Sequence, residues 1–134
     1  MADSTTRYSA AVGRRKTATA SIRIMKADKA SVTVNGKAAK DYFKTNERTK
    51  IAEEALEAKD LVGTYAVTAH VSGGGIAAQA EAVRHGISRA ILLEEAGMRG
   101  TLKAAGYLRR DPRAVERKKP GLRKARKSPQ WSKR

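Results

Sequence analysis

Few residues in this chain could carry acid–base or metal chemistry. It has two histidines, His70 and His85, and no cysteine. A histidine acting as general base needs an orienting partner and a cleft. No cluster of acids accompanies either one, and two histidines alone do not make a zinc site. The run Gly73-Gly74-Gly75 stands before a helical pattern, the arrangement in which backbone N–H groups cradle phosphate. A nucleotide enzyme would add a lysine after the glycines and hydroxyl or carboxylate ligands for magnesium. Neither is present, so the Walker pattern is absent. A backbone phosphate of a folded nucleic acid would use the same loop without chemistry, and a plain tight turn would use the same glycines. Arg84, His85 and Arg89 follow on the helix, and Gly13-Arg14-Arg15-Lys16 places three cations together near the start. These residues suit phosphate binding better than catalysis, so the chain is expected not to be an enzyme and to need no cofactor, metal or small-molecule substrate.

Charge concentrates at the other end. The formal net charge is +16, and residues 109–134 hold twelve Lys/Arg against two acids, Asp111 and Glu116. Those cations are Arg109, Arg110, Arg113, Arg117, Lys118, Lys119, Arg123, Lys124, Arg126, Lys127, Lys133 and Arg134. The apolar side chains among them are few and unpatterned. At about 25 cal/mol per Å² they cannot offset roughly 1–2 kcal/mol of ordering entropy per residue. Pro112, Pro120 and Pro129 interrupt any continuous helix. The segment is therefore expected to lack a shape of its own and to take one against a polyanion. Trp131, the only tryptophan, has no apolar neighbours and suits stacking on a base or ribose. Asp111-Pro112 reads as an N-cap and first position of a short helical turn, with bends at Pro120-Gly121 and Ser128-Pro129.

The elements that must position these groups follow from periodicity. Ala18, Ala20, Ile22 and Ile24 alternate with polar residues, the period of a half-buried strand, with the basic Gly13–Lys16 stretch as its exposed start. Ser31–Val34 is a second strand, turned back at Asn35-Gly36. Asp41-Tyr42-Phe43 should pack its rings over the sheet edge. Thr45 or Asn46 can cap a helix that buries Ile51, Ala52, Ala55 and Leu56 and turns Glu53, Glu54 and Glu57 to solvent. Tyr65–Ser72 alternates again, with Tyr65, Val67, Ala69 and Val71 inward. A helix then runs from about Ile76 to Ala96 with a buried stripe of Ala80, Val83, Ile87, Ala90 and Ile91, and Gly97 as its C-cap. Gly86 in mid-helix, unfavourable by roughly 1 kcal/mol, implies close approach of another backbone. A short helix from Thr101 closes at Gly106. The order predicts an α+β fold, a small mixed sheet with helices on one face.

One domain is expected, with a loose leader over residues 1–6, a globular part over 7–108 and a basic tail over 109–134. The absence of cysteine suits a reducing compartment, no apolar run approaches the ~18 residues of a membrane span, and the N-terminus lacks a secretory pattern. The expectation is a cytoplasmic protein with a nucleic-acid partner and no membrane partner.

Gly13-Arg14-Arg15-Lys16, Val34-Asn35-Gly36, the run VSGGGIAAQAEAVRHGISRA from Val71 to Ala90 and the ending SPQWSKR together resemble the bacterial form of small-subunit ribosomal protein nine. The likeness covers nearly all of Tyr8 to Arg134. It implies the fold of the second domain of ribosomal protein S-five, a βαβ arrangement with a left-handed crossover and a long extended basic C-terminal tail. It also implies a place in the head of the small subunit on 16S ribosomal RNA, beside neighbouring head proteins. The tail would thread through that RNA toward the peptidyl site, where Ser132, Lys133 and Arg134 would meet transfer RNA. By the same likeness Arg14, Arg15, Lys16, Gly73, Gly74, Gly75, Arg84, His85, Arg89, the cations of the tail up to Lys127 and Trp131 would contact ribosomal RNA. Trp131 stands where the family usually has Phe, and Lys127-Ser128 replaces a more Arg-rich pairing. The alternative function is a free-standing basic RNA chaperone or nucleoid protein.

Overall fold

A computed structural model describes residues 7–132. Its centre is a five-stranded mixed sheet in the order β1-β2-β5-β3-β4. β1 (Ser9–Arg15) and β2 (Ala18–Lys26) form an antiparallel hairpin, turned at Lys16 with φ 53°. β3 (Ser31–Val34) and β4 (Lys37–Ala38) form a second hairpin. Its two turn residues, Asn35 and Gly36, both have positive φ, as a type I′ turn requires. The Asn35 side chain also bonds both backbone groups of Val71, tying the turn to β5. β5 (Tyr65–Ser72) fills the middle of the sheet, antiparallel to β2 and parallel to β3.

Between β3–β4 and β5 the chain forms α1 (Ala39–Phe43), α2 (Asn46–Glu53) and a 3₁₀ turn, Glu54–Glu57. After β5 come α3 (Ile76–Glu94), a 3₁₀ turn at Ala96–Met98 and α4 (Arg99–Ala105). Alternation along the strands decides which face is covered. Ala18, Ala20, Ile22 and Ile24 of β2 and Tyr65, Val67, Ala69 and Val71 of β5 are buried on the helix-covered face, while Ser21, Arg23, His70 and Ser72 on the other face stay exposed. The expected stripe of α3 is buried in full, from Ala80 through Val83, Ile87 and Ala90 to Ile91. Each of its large side chains contributes about 1.5–3 kcal/mol by leaving water. Phe43 is enclosed and meets Tyr42 edge to face at 5.2 Å. The α+β architecture with one helix-covered face is the one the periodicity predicts.

The first strand departs from expectation. Residues 9–15 are a strand in their own right rather than the exposed start of β2, and their inward positions are Gly13 and Arg15 instead of large apolar residues. Gly13 is there because α3 crosses at Gly86. A Cβ on Gly13 would lie 1.9 Å from the Ala82 carbonyl oxygen, and one on Gly86 would lie 2.4 Å from Ile22 Cγ1. The close approach foreseen for Gly86 is thus a glycine-on-glycine contact between α3 and β1.

Two caps also differ. α3 stops at Glu94, before Gly97, because Glu95 turns away to the loop preceding β5. Its carboxylate accepts from the Tyr65 hydroxyl at 2.6 Å and from the Gly63 N–H at 2.9 Å. The helical turn expected at Asp111-Pro112 does not form. From Arg109 to Ser132 there is neither helix nor strand, only a bend at Arg109, a turn at Pro120-Gly121 and bends over residues 122–126.

Candidate nucleic-acid interface

The cations singled out in the sequence do not form one patch. Arg14, Arg15, Arg84, His85, Arg109 and Arg110 surround a small recess where β1, α3 and the chain after α4 meet. Arg14 lies at the end of β1, with its backbone N–H 3.5 Å from His85 Nδ1. Burial keeps the His85 imidazole below its ordinary pKa, and Arg89, Arg110 and Arg84 add to the effect. The Leu108 backbone, hydrogen-bonded to the ring, opposes it. Arg89 donates to the Val12 carbonyl at 2.6 Å, so this cation is partly committed to holding α3 against β1.

Arg84 and Arg15 are committed further. Arg84 donates to Glu54 Oε2 at 2.8 Å and lies 5.3 Å from the centre of the Tyr107 ring. Glu54 therefore does not face solvent as expected; it neutralises Arg84 on α3. Glu53 is also half-buried, and loss of water raises its carboxyl pKa. Arg15 is 9% exposed, although Arg14 and Lys16 on either side of it are open. Its guanidinium reaches Glu81 at 2.5 Å, Asp111 Oδ2 at 3.3 Å and the Arg113 carbonyl at 2.8 Å. Period-two alternation along β1 places Arg15 on the helix side. A run of three cations hid that difference.

Gly73, Gly74 and Gly75 lie away from the recess, at the end of the sheet beside the β1–β2 turn. Gly73 and Gly74 have φ of 74° and 60°, and a Cβ on Gly73 would come 2.5 Å from the Thr17 carbonyl. Close packing on the hairpin is sufficient reason for both. The loop is braced by Gln79, whose amide donates to the Gly73 carbonyl and accepts from the Tyr42 hydroxyl. Gly75 has open space around it, and no side chain caps the start of α3. Lys16 precedes Thr17 in the hairpin turn and so sets one exposed cation on the side of this loop.

Along the C-terminal segment the cations from Arg109 to Lys127 are exposed, apart from Lys119, which is half-buried. Both acids are occupied. Asp111 accepts from the Arg113 backbone and guanidinium, and Arg113 first, then Arg15, hold its carboxyl far below the usual range. Glu116 pairs with Lys119 and with Arg126. Arg117, Lys118, Arg123, Lys124 and Lys127 face solvent without an acid among the described residues. Trp131 is 80% exposed and Ser132 is exposed. Lys133 and Arg134 lie outside the described residues.

Chemically, the described cations outside these pairs make a surface suited to anions. A depression beside α2 and α4 mixes Lys50 and Lys59 with Glu57 and Asp60 and is lined by no histidine. Among the described residues no group of His, Cys, Asp and Glu could hold a metal ion, and no helix is long and apolar enough to cross a membrane. Residues 13–134 match the sequence model of a protein family described as Ribosomal protein S9/S16.

Proposed function

The chain belongs to the ribosomal protein S9/S16 family, an RNA-binding constituent of the small ribosomal subunit; from that premise we propose how it holds RNA. The globular part docks on 16S ribosomal RNA in the subunit head beside neighbouring head proteins, and residues 109–134 form an extended tail that penetrates the RNA. Ser132, Lys133 and Arg134 at its end meet transfer RNA in the peptidyl site. The role is structural rather than catalytic. We further propose that the connection from β3 through α1 and α2 to β5 is the left-handed crossover of the second domain of ribosomal protein S-five.

One observation carries the reading. The segment after Leu108 holds twelve cations and only two acids, and its own acids leave most of those cations unmatched. Phosphates are the acceptors that complete them, and released counterions supply the affinity. Arg14, Lys16, Arg89, Arg109 and Arg110 add contacts around the recess and the hairpin, and Gly73, Gly74 and Gly75 admit a phosphate close to the backbone at the start of α3. Arg84, His85 and Arg15 flank these contacts.

The test is a titration of the full chain on a transcript of the 3′ major domain of 16S ribosomal RNA. For about 6–10 phosphate contacts, affinity should fall ~10³-fold or more between 50 and 200 mM salt. A flat response overturns the mechanism. Sedimentation separates this reading from that of a free-standing chaperone or nucleoid protein, which would not travel with the small subunit. Removal of residues 132–134 should leave subunit incorporation intact and weaken peptidyl-site transfer RNA; loss of incorporation would sink that division of labour.

A further inference from the structure

We infer that Arg15 is a positioning residue: it fixes the direction in which the C-terminal segment leaves the folded body, and it does not itself meet phosphate. The inference rests on the RNA-binding reading above and deepens it. All three guanidinium nitrogens are committed. Nε donates to Glu81 on α3, Nη1 donates to the carbonyls of Arg113 and Asp111, and Nη2 lies 3.3 Å from the Asp111 carboxylate as an ion pair. Such a guanidinium is stable out of water only because carboxylates and carbonyls surround it. A phosphate could reach it only by displacing them.

The acceptors come from two places far apart in the chain, 66 residues away at Glu81 and 96 residues away at Asp111. Arg15 therefore ties β1, α3 and the root of the segment together at one point. Asp111 passes the constraint on. It takes the Arg113 N–H at 3.0 Å and the Arg113 guanidinium at 2.7–3.1 Å, while Pro112 between them has a fixed φ. Residues 111–113 are thus ordered on the body before RNA arrives, and the freely directed part of the segment begins beyond them. Ordering the root in advance lowers the entropy lost on binding and aims the remaining cations at one path.

Two substitutions that remove the same charge separate this role from plain electrostatics. Neutralising an acid in a cationic segment should strengthen its binding to a polyanion. Glu116→Gln frees Lys119 and Arg126, and should leave affinity for the 3′ major domain transcript unchanged or raise it. Asp111→Asn loosens the root, and should weaken binding by about 3–10-fold in spite of the lost negative charge, with the salt slope unchanged. An Asp111→Asn chain that binds as tightly as the parent, or more tightly, overturns the inference. A second measurement needs no RNA: the Arg113 amide should exchange with solvent more slowly than those of Arg117 and Lys118 in the free parent. Equal rates also overturn it. If the parent shows no salt-dependent RNA binding, the proposed function falls instead, and amide exchange still decides whether the root is fixed.

Discussion

The folded body and the C-terminal segment use charge in opposite ways. In the body, residues up to Leu108, cations and acids are closer to balance, and the acids take up some of the most enclosed cations: Glu54 holds Arg84 and Glu81 holds Arg15. Its shape comes from apolar packing of α3 on β2 and β5 and from the close crossing of α3 over β1 at Gly13 and Gly86. In the segment the two acids are outnumbered sixfold, and almost no apolar surface is enclosed. The body is held by its apolar core, and its enclosed cations Arg15 and Arg84 find acids within it. Most cations of the segment find no acid among the described residues.

The comparison breaks most sharply if the segment's charges prove dispensable. Replacing Arg123, Lys124, Arg126 and Lys127 together with Gln should lower RNA affinity by ~10²–10³-fold at physiological salt, and reduce the salt slope by about 0.7–0.9 for each phosphate left without its cation. The thermal midpoint should stay unchanged, and a large drop in it would mean that the segment helps hold the body. The converse probe is Gly13→Ala. Its new methyl group meets the Ala82 carbonyl and the Gly86 backbone, neither of which is a flexible side-chain end. We expect a loss of about 1–3 kcal/mol in urea unfolding, with RNA affinity of the folded fraction unchanged. Stability equal to the parent would disprove the tight crossing.

Trp131→Ala tests whether the segment uses anything besides charge. If the exposed indole stacks on a base or ribose, affinity should fall by about tenfold with an unchanged salt slope. The smallest expected effect is at His85, where body and interface should respond to pH with opposite sign. Its folded pKa lies below the unfolded value near 6.5. In the interval between the two values the unfolded chain binds more protons, so the His85 contribution is complete above about 6.5 and shrinks as pH falls below it. Phosphate beside Arg14, Arg89 and Arg110 would raise the same pKa, so RNA binding should take up a proton and tighten as pH drops. Each trend should be no more than a few-fold between about pH 7 and 6, and His85→Gln should abolish both. Parallel trends would remove His85 from the interface.

Much of the body was legible because its signals are local. The alternation of β5, the stripe of α3 and the turn at Asn35-Gly36 each depend on neighbours within one or two turns. β1 was missed because its inward positions hold Gly13 and Arg15, which carry no hydropathy signal, and their reasons lie 66 to 96 residues away in Glu81, Gly86 and Asp111. Gly97 and Asp111 misled for a related reason. Each has the right chemistry for a cap, but Glu95 is drawn to Tyr65, and the Asp111 carboxylate to Arg113 and Arg15. Among the proposed RNA contacts, composition marked the segment as a whole. It could not separate Arg15, turned inward, from Arg14 and Lys16, turned outward.

The junction at Arg15 also carries a timetable. Its donor leaves the site of synthesis well ahead of its acceptor at Asp111, 96 residues later. At roughly 5–20 residues per second that interval is about 5–20 s. The nascent sheet must therefore wait with an arginine only partly satisfied, and the final seal on the first strand is supplied by residues translated after β1–β5 and α1–α4 are complete.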